Sequence, residues 1–392
     1  MPAPDDGHIG TRIKEQRRLA HLNQRQLADR LPYSYSLLNQ VECGARRATP
    51  DFVSAVADVL GIDAALLTST MGDELHQDHP AAVVAPIREA LDIYDLEPLP
   101  EPVCRPVAVL AAEADRVCQL VRAARLRKAT GVLPGVIAEL THLAWTAPTT
   151  PVWRALASTY RTAHDITLKL GHPDLSQVAL DRMYWAAERA SDPHLAAVRQ
   201  YKRALLYKSG SHSTGLRLIA EGHRLLEGET TREALAVSGQ LHLGASALAA
   251  RAGEGGLVDA HLASARNLAA RVGGEAPEVH WLSFGARNAD LHAFGAAVAM
   301  GCYDDALSRA RSIRVPPSTL TSRRARFLVD RARAEMETGH LDSSLRHLAQ
   351  ARHVAPEQTR YYSGTKETIT GLVHLSRRTP DSLAYMARWV GI

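Results

Sequence analysis

The chain has 392 residues, of which 46% are hydrophobic and 22% charged, with a formal net charge of +4. This is the composition of a globular protein longer than a single core, and no stretch approaches the roughly 20 apolar residues of a membrane span. Aromatic residues are only 5% of the chain, and abundant Ala, Leu and Arg favour helix over sheet. The opening MPAPDDGHIG lacks a basic and then an apolar leader region, so a cytoplasmic location is expected. Cys43, Cys104, Cys118 and Cys302 have no CxxC or zinc-type spacing. They read as small buried or free thiols, and neither a metal nor a cofactor is expected.

The charge is concentrated near the start. Between His8 and Pro50 stand eight basic residues (Arg12, Lys14, Arg17, Arg18, Arg25, Arg30, Arg46, Arg47) against three acids (Glu15, Asp29, Glu42). A compact basic module on a nearly neutral body suggests contact with nucleic acid. Ile9–Leu22 carries the apolar spacing of a first helix. Asn23, with Gln26 three residues on, caps a second, whose Leu27, Ala28 and Leu31 face inward. Ser34 caps a third helix that buries Leu37, Leu38 and Val41 and ends at Gly44. Thr49 and Pro50 open a fourth, which stops at Gly61, and Asp63 begins a last turn. Helices this short must share one small core, and the second and third form a helix-turn-helix. The third helix leaves Tyr35, Ser36, Asn39 and Gln40 on its outer face. Amides and hydroxyls read base edges, while Arg12, Lys14, Arg17, Arg18, Arg25, Arg46 and Arg47 suit phosphates.

Residues Ile9–Leu67 resemble the XRE/phage-repressor helix-turn-helix family. NQRQLADRL…SYSLLNQVECG follows its pattern S-Q-x-x-L-A-x-x…S-x-x-x-I-S-x-I/W-E-x-G at most fixed positions. The resemblance implies that Gln24 touches a phosphate, that Tyr35, Ser36, Asn39 and Gln40 meet bases, and that Arg17 and Glu42 form a structural ion pair. The DNA-facing set is then Gln24, Arg25, Ser34, Tyr35, Ser36, Asn39, Gln40, Arg46 and Arg47. Pro32 stands where the family has a glycine with positive φ, and Tyr33 replaces a small apolar residue. Proline cannot adopt that conformation, so the turn must differ locally.

Domain boundaries fall at 1–71 for the helix-turn-helix and 72–105 for a linker holding one short amphipathic docking helix, about Ala81–Ile93. His76 and His79 in that linker read as solvated loop histidines. Residues 106–392 form a helical-repeat domain without a convincing strand. Turn glycines recur at Gly171, Gly210, Gly256, Gly301 and Gly339 between longer and shorter helices. Such hairpins bury their apolar faces by stacking on neighbours. This half resembles tetratricopeptide-type repeats, although its periods exceed the family's length of about 34 residues. The arrangement is similar to actinobacterial XRE regulators with tetratricopeptide repeats, and to Gram-positive quorum-sensing regulators that bind short signalling peptides. The fold class expected is therefore all-α: a helix-turn-helix bundle followed by a TPR-like α-solenoid of helical hairpins.

The longer helices, about 152–170, 193–209, 232–251, 279–300, 317–338 and 358–376, would line the concave face. Polar side chains along it suit an extended peptide or a metabolite, with Arg199, Arg203, Gln240, His242, Asn288 and Arg324 as the ligand-binding set. GxSxG, P-loop, GxGxxG and HExxH patterns are missing, so no catalytic residue and no enzyme activity are expected. The expectation is a homodimeric transcriptional regulator that binds double-stranded DNA at an inverted-repeat operator under control of an effector, with no membrane partner. A helical-repeat interaction scaffold with only weak DNA association is the alternative.

Overall fold

The computed structural model describes residues 9–20, 22–60, 62, 64, 67, 80–96, 104–207, 211–314, 320–376 and 380–392. The predicted stop at Gly61, the turn start at Asp63, the turn glycine Gly210, and the histidines His76 and His79 lie outside them. The chain forms two compact units: Met1–Val83 with Val373–Ile392, and Val84–Leu372. The fold is all-α, and among the described residues the one β feature is an isolated bridge between Ala276 and Phe284. No helix among them is long and apolar enough to cross a membrane.

In the first unit, α1 (Ile9–Leu19), α2 (Gln24–Ala28), α3 (Tyr35–Glu42) and α4 (Pro50–Leu60) surround one small core. Ile13, Leu27, Leu38, Val41, Phe52, Val56 and Leu67 fill it. Asn23 and Gln26 make the capping box at α2, and the Ser34 hydroxyl accepts from the Leu37 N–H at α3. Gly44, with φ +78°, follows α3. The α2–α3 turn is made without any positive φ, which is how Pro32 is accommodated. Tyr33 packs its ring against Phe52 at 5.0 Å. The unit also contains the last helix, Asp381–Val390, with Leu383, Met386 and Val390 buried. Tyr385 accepts a hydrogen bond from Gln16 at 3.0 Å, Arg388 pairs with Glu15 at 3.3 Å, and Arg18 pairs with Asp381. The boundary at 106–392 thus gave the repeat domain a segment that packs on α1; a single amphipathic helix carries no sign of which core it joins.

The second unit is a stack of helical hairpins: α5 (Pro80–Asp92, which begins before the unit boundary), α6 (Val107–Arg122), α7 (Leu126–Thr146), α8 (Thr150–Lys169), α9 (Pro173–Arg189), α10 (Pro193–Leu206), α11 (His212–Arg224), α12 (Arg232–Ala252), α13 (Gly255–Val272), α14 (Ala286–Ala299), α15 (Tyr303–Ser312), α16 (Thr321–Glu337), α17 (Leu341–Val354), α18 (Pro356–Tyr361) and α19 (Ser363–Leu375). The linker helix docks as α5: Val84, Ile87 and Leu91 are buried, and Arg182 of α9 donates to the Leu91 carbonyl at 2.9 Å.

One turn recurs through the stack. After α8, α12, α14 and α16 the chain enters the left-handed region at Gly171, Gly253, Gly301 and Gly339. At each, the glycine N–H reaches the carbonyl three residues back and the next N–H the one five back, for example Gly171 to Leu168 and His172 to Thr167. This is the Schellman closure, which satisfies orphan carbonyls at the helix end. Gly256 sits inside α13, so the turn expected there is made by Gly253. Ala124 (φ 56°) and Ser191 (φ 48°) make the same closure without glycine.

The lining helix predicted over 279–300 begins only at Ala286. Residues 276–284 instead form a loop whose Phe284 ring lies against α12 where Gly239 has no side chain. A β-carbon at Gly239 would come within 2.0 Å of that ring. Alanines 236, 250, 265, 269, 289, 293 and 296 pack this part of the core, and their small side chains allow close helix approach.

Candidate functional site

Helix α3 owes its position to a buried ion pair. Arg17 of α1 grips Glu42 through two hydrogen bonds, 2.7 and 2.8 Å long, and donates to the Leu22 carbonyl at 2.8 Å. Both side chains are buried, at 7% and 2% exposure. The resemblance-based pair is therefore present, and it locks the end of α3 to α1. Gln24 extends the network, donating to Glu42 at 2.7 Å and to Asn39 at 3.3 Å while accepting from the Tyr35 hydroxyl at 3.2 Å. Its amide thus orients two of the four side chains expected to meet bases, Tyr35 and Asn39.

Tyr35, Ser36, Asn39 and Gln40 are all exposed, and so are Arg25, Ser34, Arg46 and Arg47. They stand on α2, on α3 and its cap, and in the segment after Gly44. Ser34 uses its hydroxyl as the helix cap. Two arginines expected at phosphates are engaged within the unit, Arg17 with Glu42 and Arg18 with Asp381. The exposed set combines hydrogen-bonding side chains with cations, the chemistry that base edges and phosphates require.

Of the six residues expected to line a ligand groove, Asn288 and Gln240 meet each other, but inside the stack and not at an open surface. Asn288 donates to Gln240 at 3.1 Å, and Gln240 donates to the buried Tyr201 hydroxyl at 2.8 Å. Both amides are 2% exposed. They knit α10, α12 and α14 together inside the stack, so helical spacing put them on a polar face that other helices cover. Arg199 is also buried, donating to the Leu180 carbonyl at 2.9 Å and to Asp181 at 3.2 Å. Arg203 bonds Gln200 at 3.1 Å. His242 stacks between His223 and His261, with 3.0 Å between the Nδ1 atoms of His242 and His261. Burial first, then the two neighbouring imidazoles, push the His242 pKa down to about 4. Arg324 is half-buried on α16.

An open cavity of about 460 Å³ lies elsewhere in this unit, lined by Asp115, Ser158, Arg232, Glu233, Glu278 and the loop residues Val279–Trp281. The loop is held from several helices. Arg161, itself fully buried, donates to the His280 carbonyl at 2.6 Å; Trp281 donates to Asp115 at 2.7 Å; Arg323 donates to the Leu282 carbonyl at 2.6 Å. Glu233 lies 2.7 Å from His280, whose proximity holds the Glu233 carboxyl below its usual pKa. The signal for this loop was legible in GGEAPEVHWLSFG, where glycines and a proline interrupt the helical period.

Comparison with known proteins gives residues 8–69 a match to a helix-turn-helix domain family. Two curated relatives from Mycobacterium tuberculosis, strains CDC 1551 and H37Rv, each bear the name uncharacterized HTH-type transcriptional regulator. Each is 42% identical over 58 residues, which are 15% of this chain and 41% of the relative. The match thus spans less than half the length of those proteins. No solved structure gives a significant match. The first 70 or so residues carry a helix-turn-helix domain of the kind found in transcriptional regulators.

Proposed function

We propose that the protein is a sequence-specific DNA-binding transcriptional regulator whose helix α3 reads the major groove. The observation that carries this is the exposed row Tyr35, Ser36, Asn39 and Gln40 on a helix pinned by the buried Arg17–Glu42 pair. A rigidly held helix with hydrogen-bonding groups outward, and Arg25, Arg46 and Arg47 beside it, meets the demands of base reading and phosphate anchoring. The protein works in the cytoplasm as a homodimer on an inverted-repeat operator, because one such helix covers too few base pairs for useful specificity. The hairpin unit supplies the dimer contact and answers to a small effector. The cavity beside Trp281 suits that effector, because its lining offers both signs of charge, Arg232 with Asp115, Glu233 and Glu278, as an amino acid or short peptide requires.

A genome-wide binding map of the intact protein, followed by salt titration on the recovered sequence, tests the reading. A palindromic site and binding that falls steeply with salt are expected. Equal retention on unrelated duplexes would refute it and leave an interaction scaffold.

A further inference from the structure

We infer that His194, Glu233 and His280 form a binding site for one divalent transition-metal ion. The three come from separate elements: His194 and Glu233 from the first turns of α10 and α12, His280 from the strained loop. One donor atom of each lies within 4.8 Å of the others. Glu233 Oε1 is 2.7 Å from His280 Nε2 and 3.6 Å from His194 Nδ1. Ligands at about 2.0–2.2 Å from a tetrahedral ion stand about 3.3 Å apart. The two separations from Glu233 bracket that value, so small side-chain movements would bring the three donors onto one ion.

Further features point to a ligand. The Nε2 atoms of His194 and His280 are buried and make no well-formed hydrogen bond; a carboxylate faces each, Glu229 at 4.0 Å from the first and Glu233 at 2.7 Å from the second. Buried polar atoms without partners are uncommon in folded proteins. The loop is also strained, with His280, Trp281 and Ser283 at φ 42°, 53° and 55°. Three such non-glycine residues within four positions persist only where surrounding contacts over-determine them, and strain of this kind gathers at functional sites. Arg161, Asp115 and Arg323 provide those contacts.

The surroundings admit a cation. Two nearby guanidiniums are already paired with carboxylates, Arg154 with Asp192 at 2.8 Å and Arg232 with Glu278, while Arg161 points its donors at the His280 carbonyl, Cys118 and Ser158. If His194 ligates through Nδ1, its Nε2 faces Glu229 at 4.0 Å. A second carboxylate there would orient the ring, as outer-shell carboxylates do for ligating histidines. Two imidazoles and one carboxylate favour zinc-like ions over calcium or magnesium, which take oxygen donors. Glu233 and His280 also line the cavity, so a remaining coordination position would open onto it. The inference does not depend on DNA binding.

The test uses the full-length protein, stripped with chelator and titrated with Co²⁺ by visible absorption and with Zn²⁺ by calorimetry. One ion per chain is expected, bound at least about tenfold more weakly by Glu233→Gln and by His194→Ala. His261→Ala, in the separate histidine stack, should bind as the parent does. Thermal unfolding confirms that each variant is folded. Absence of saturable binding, unchanged affinity in the Glu233→Gln/His194→Ala double variant, or loss of binding in His261→Ala would overturn the site.

Discussion

The two units use polar residues in opposite ways. In the helix-turn-helix unit the polar and basic groups lie mostly outside, and the buried Arg17–Glu42 pair is the main exception. In the hairpin unit they go inside: Arg161, the Gln240–Asn288 pair and His164 are all within 2% of full burial. Asp165 and Lys202 meet there at 2.6 Å with exposures of only 12% and 13%. Stacked long helices bury several faces at once, and polar groups on those faces bridge one helix to the next. The small bundle buries one stripe per helix and leaves the rest to solvent. A polar side chain at helical spacing thus tends to face solvent in the first unit and to pack between helices in the second.

The sharpest break of this contrast is removal of the first unit's buried pair. Glu42→Ala leaves Arg17 buried without its partner and frees Gln24. We expect a loss of about 3–5 kcal/mol in the stability of this unit by denaturant unfolding, as for other broken buried pairs. A loss below about 1 kcal/mol would mean that the pair does not hold α3.

Acidification should act mainly on the hairpin unit. Burial pushes the His164 pKa down to about 4, against an ordinary value of about 6.5. Ser176, Asp165 and Lys202 surround the ring. The unfolded chain therefore takes up the proton first as pH falls. Stability from this residue is complete above about pH 6.5 and is lost progressively down to about pH 4, amounting to about 2 kcal/mol by pH 5. Calorimetric melts across that range should show the loss, and His164→Asn should flatten it.

Two asparagines set the units side by side. Asn288→Ala should cost about 1–3 kcal/mol of stability, because Gln240 loses a buried partner, and should leave the free energy of operator binding by folded protein unchanged. Asn39→Ala should leave stability within about 0.5 kcal/mol while removing about 1–3 kcal/mol of base discrimination. Melting curves and competition binding on paired operator variants measure both. The opposite pattern would reverse the assignment of the two faces.

The smallest expected change is at Ser191, which closes α9 in the left-handed conformation at φ 48°. Ser191→Gly relieves a steric penalty of about 1–2 kcal/mol, partly offset by greater freedom of the unfolded chain. A net gain of roughly 0.5–1 kcal/mol should be visible as a higher melting temperature. A loss would show that the serine side chain matters more than its backbone.

The sequence by itself determined the local structure of the first unit and the helical character of the whole. Caps at Asn23, Ser34 and Gly44, apolar spacing at Leu27, Leu38 and Val41, and glycine turns at Gly171, Gly301 and Gly339 depend on neighbours a few residues away. Periodicity reports such short-range terms directly. The outward set on α3 was legible for the same reason, since in a small bundle one buried stripe fixes the exposed one. Only the tertiary structure decided that Gln240 and Asn288 face each other and that the last helix joins α1. It also brought His194, Glu233 and His280 together from three distant segments. These depend on which faces of the hairpins meet, and a helix's spacing defines its faces without naming what covers them.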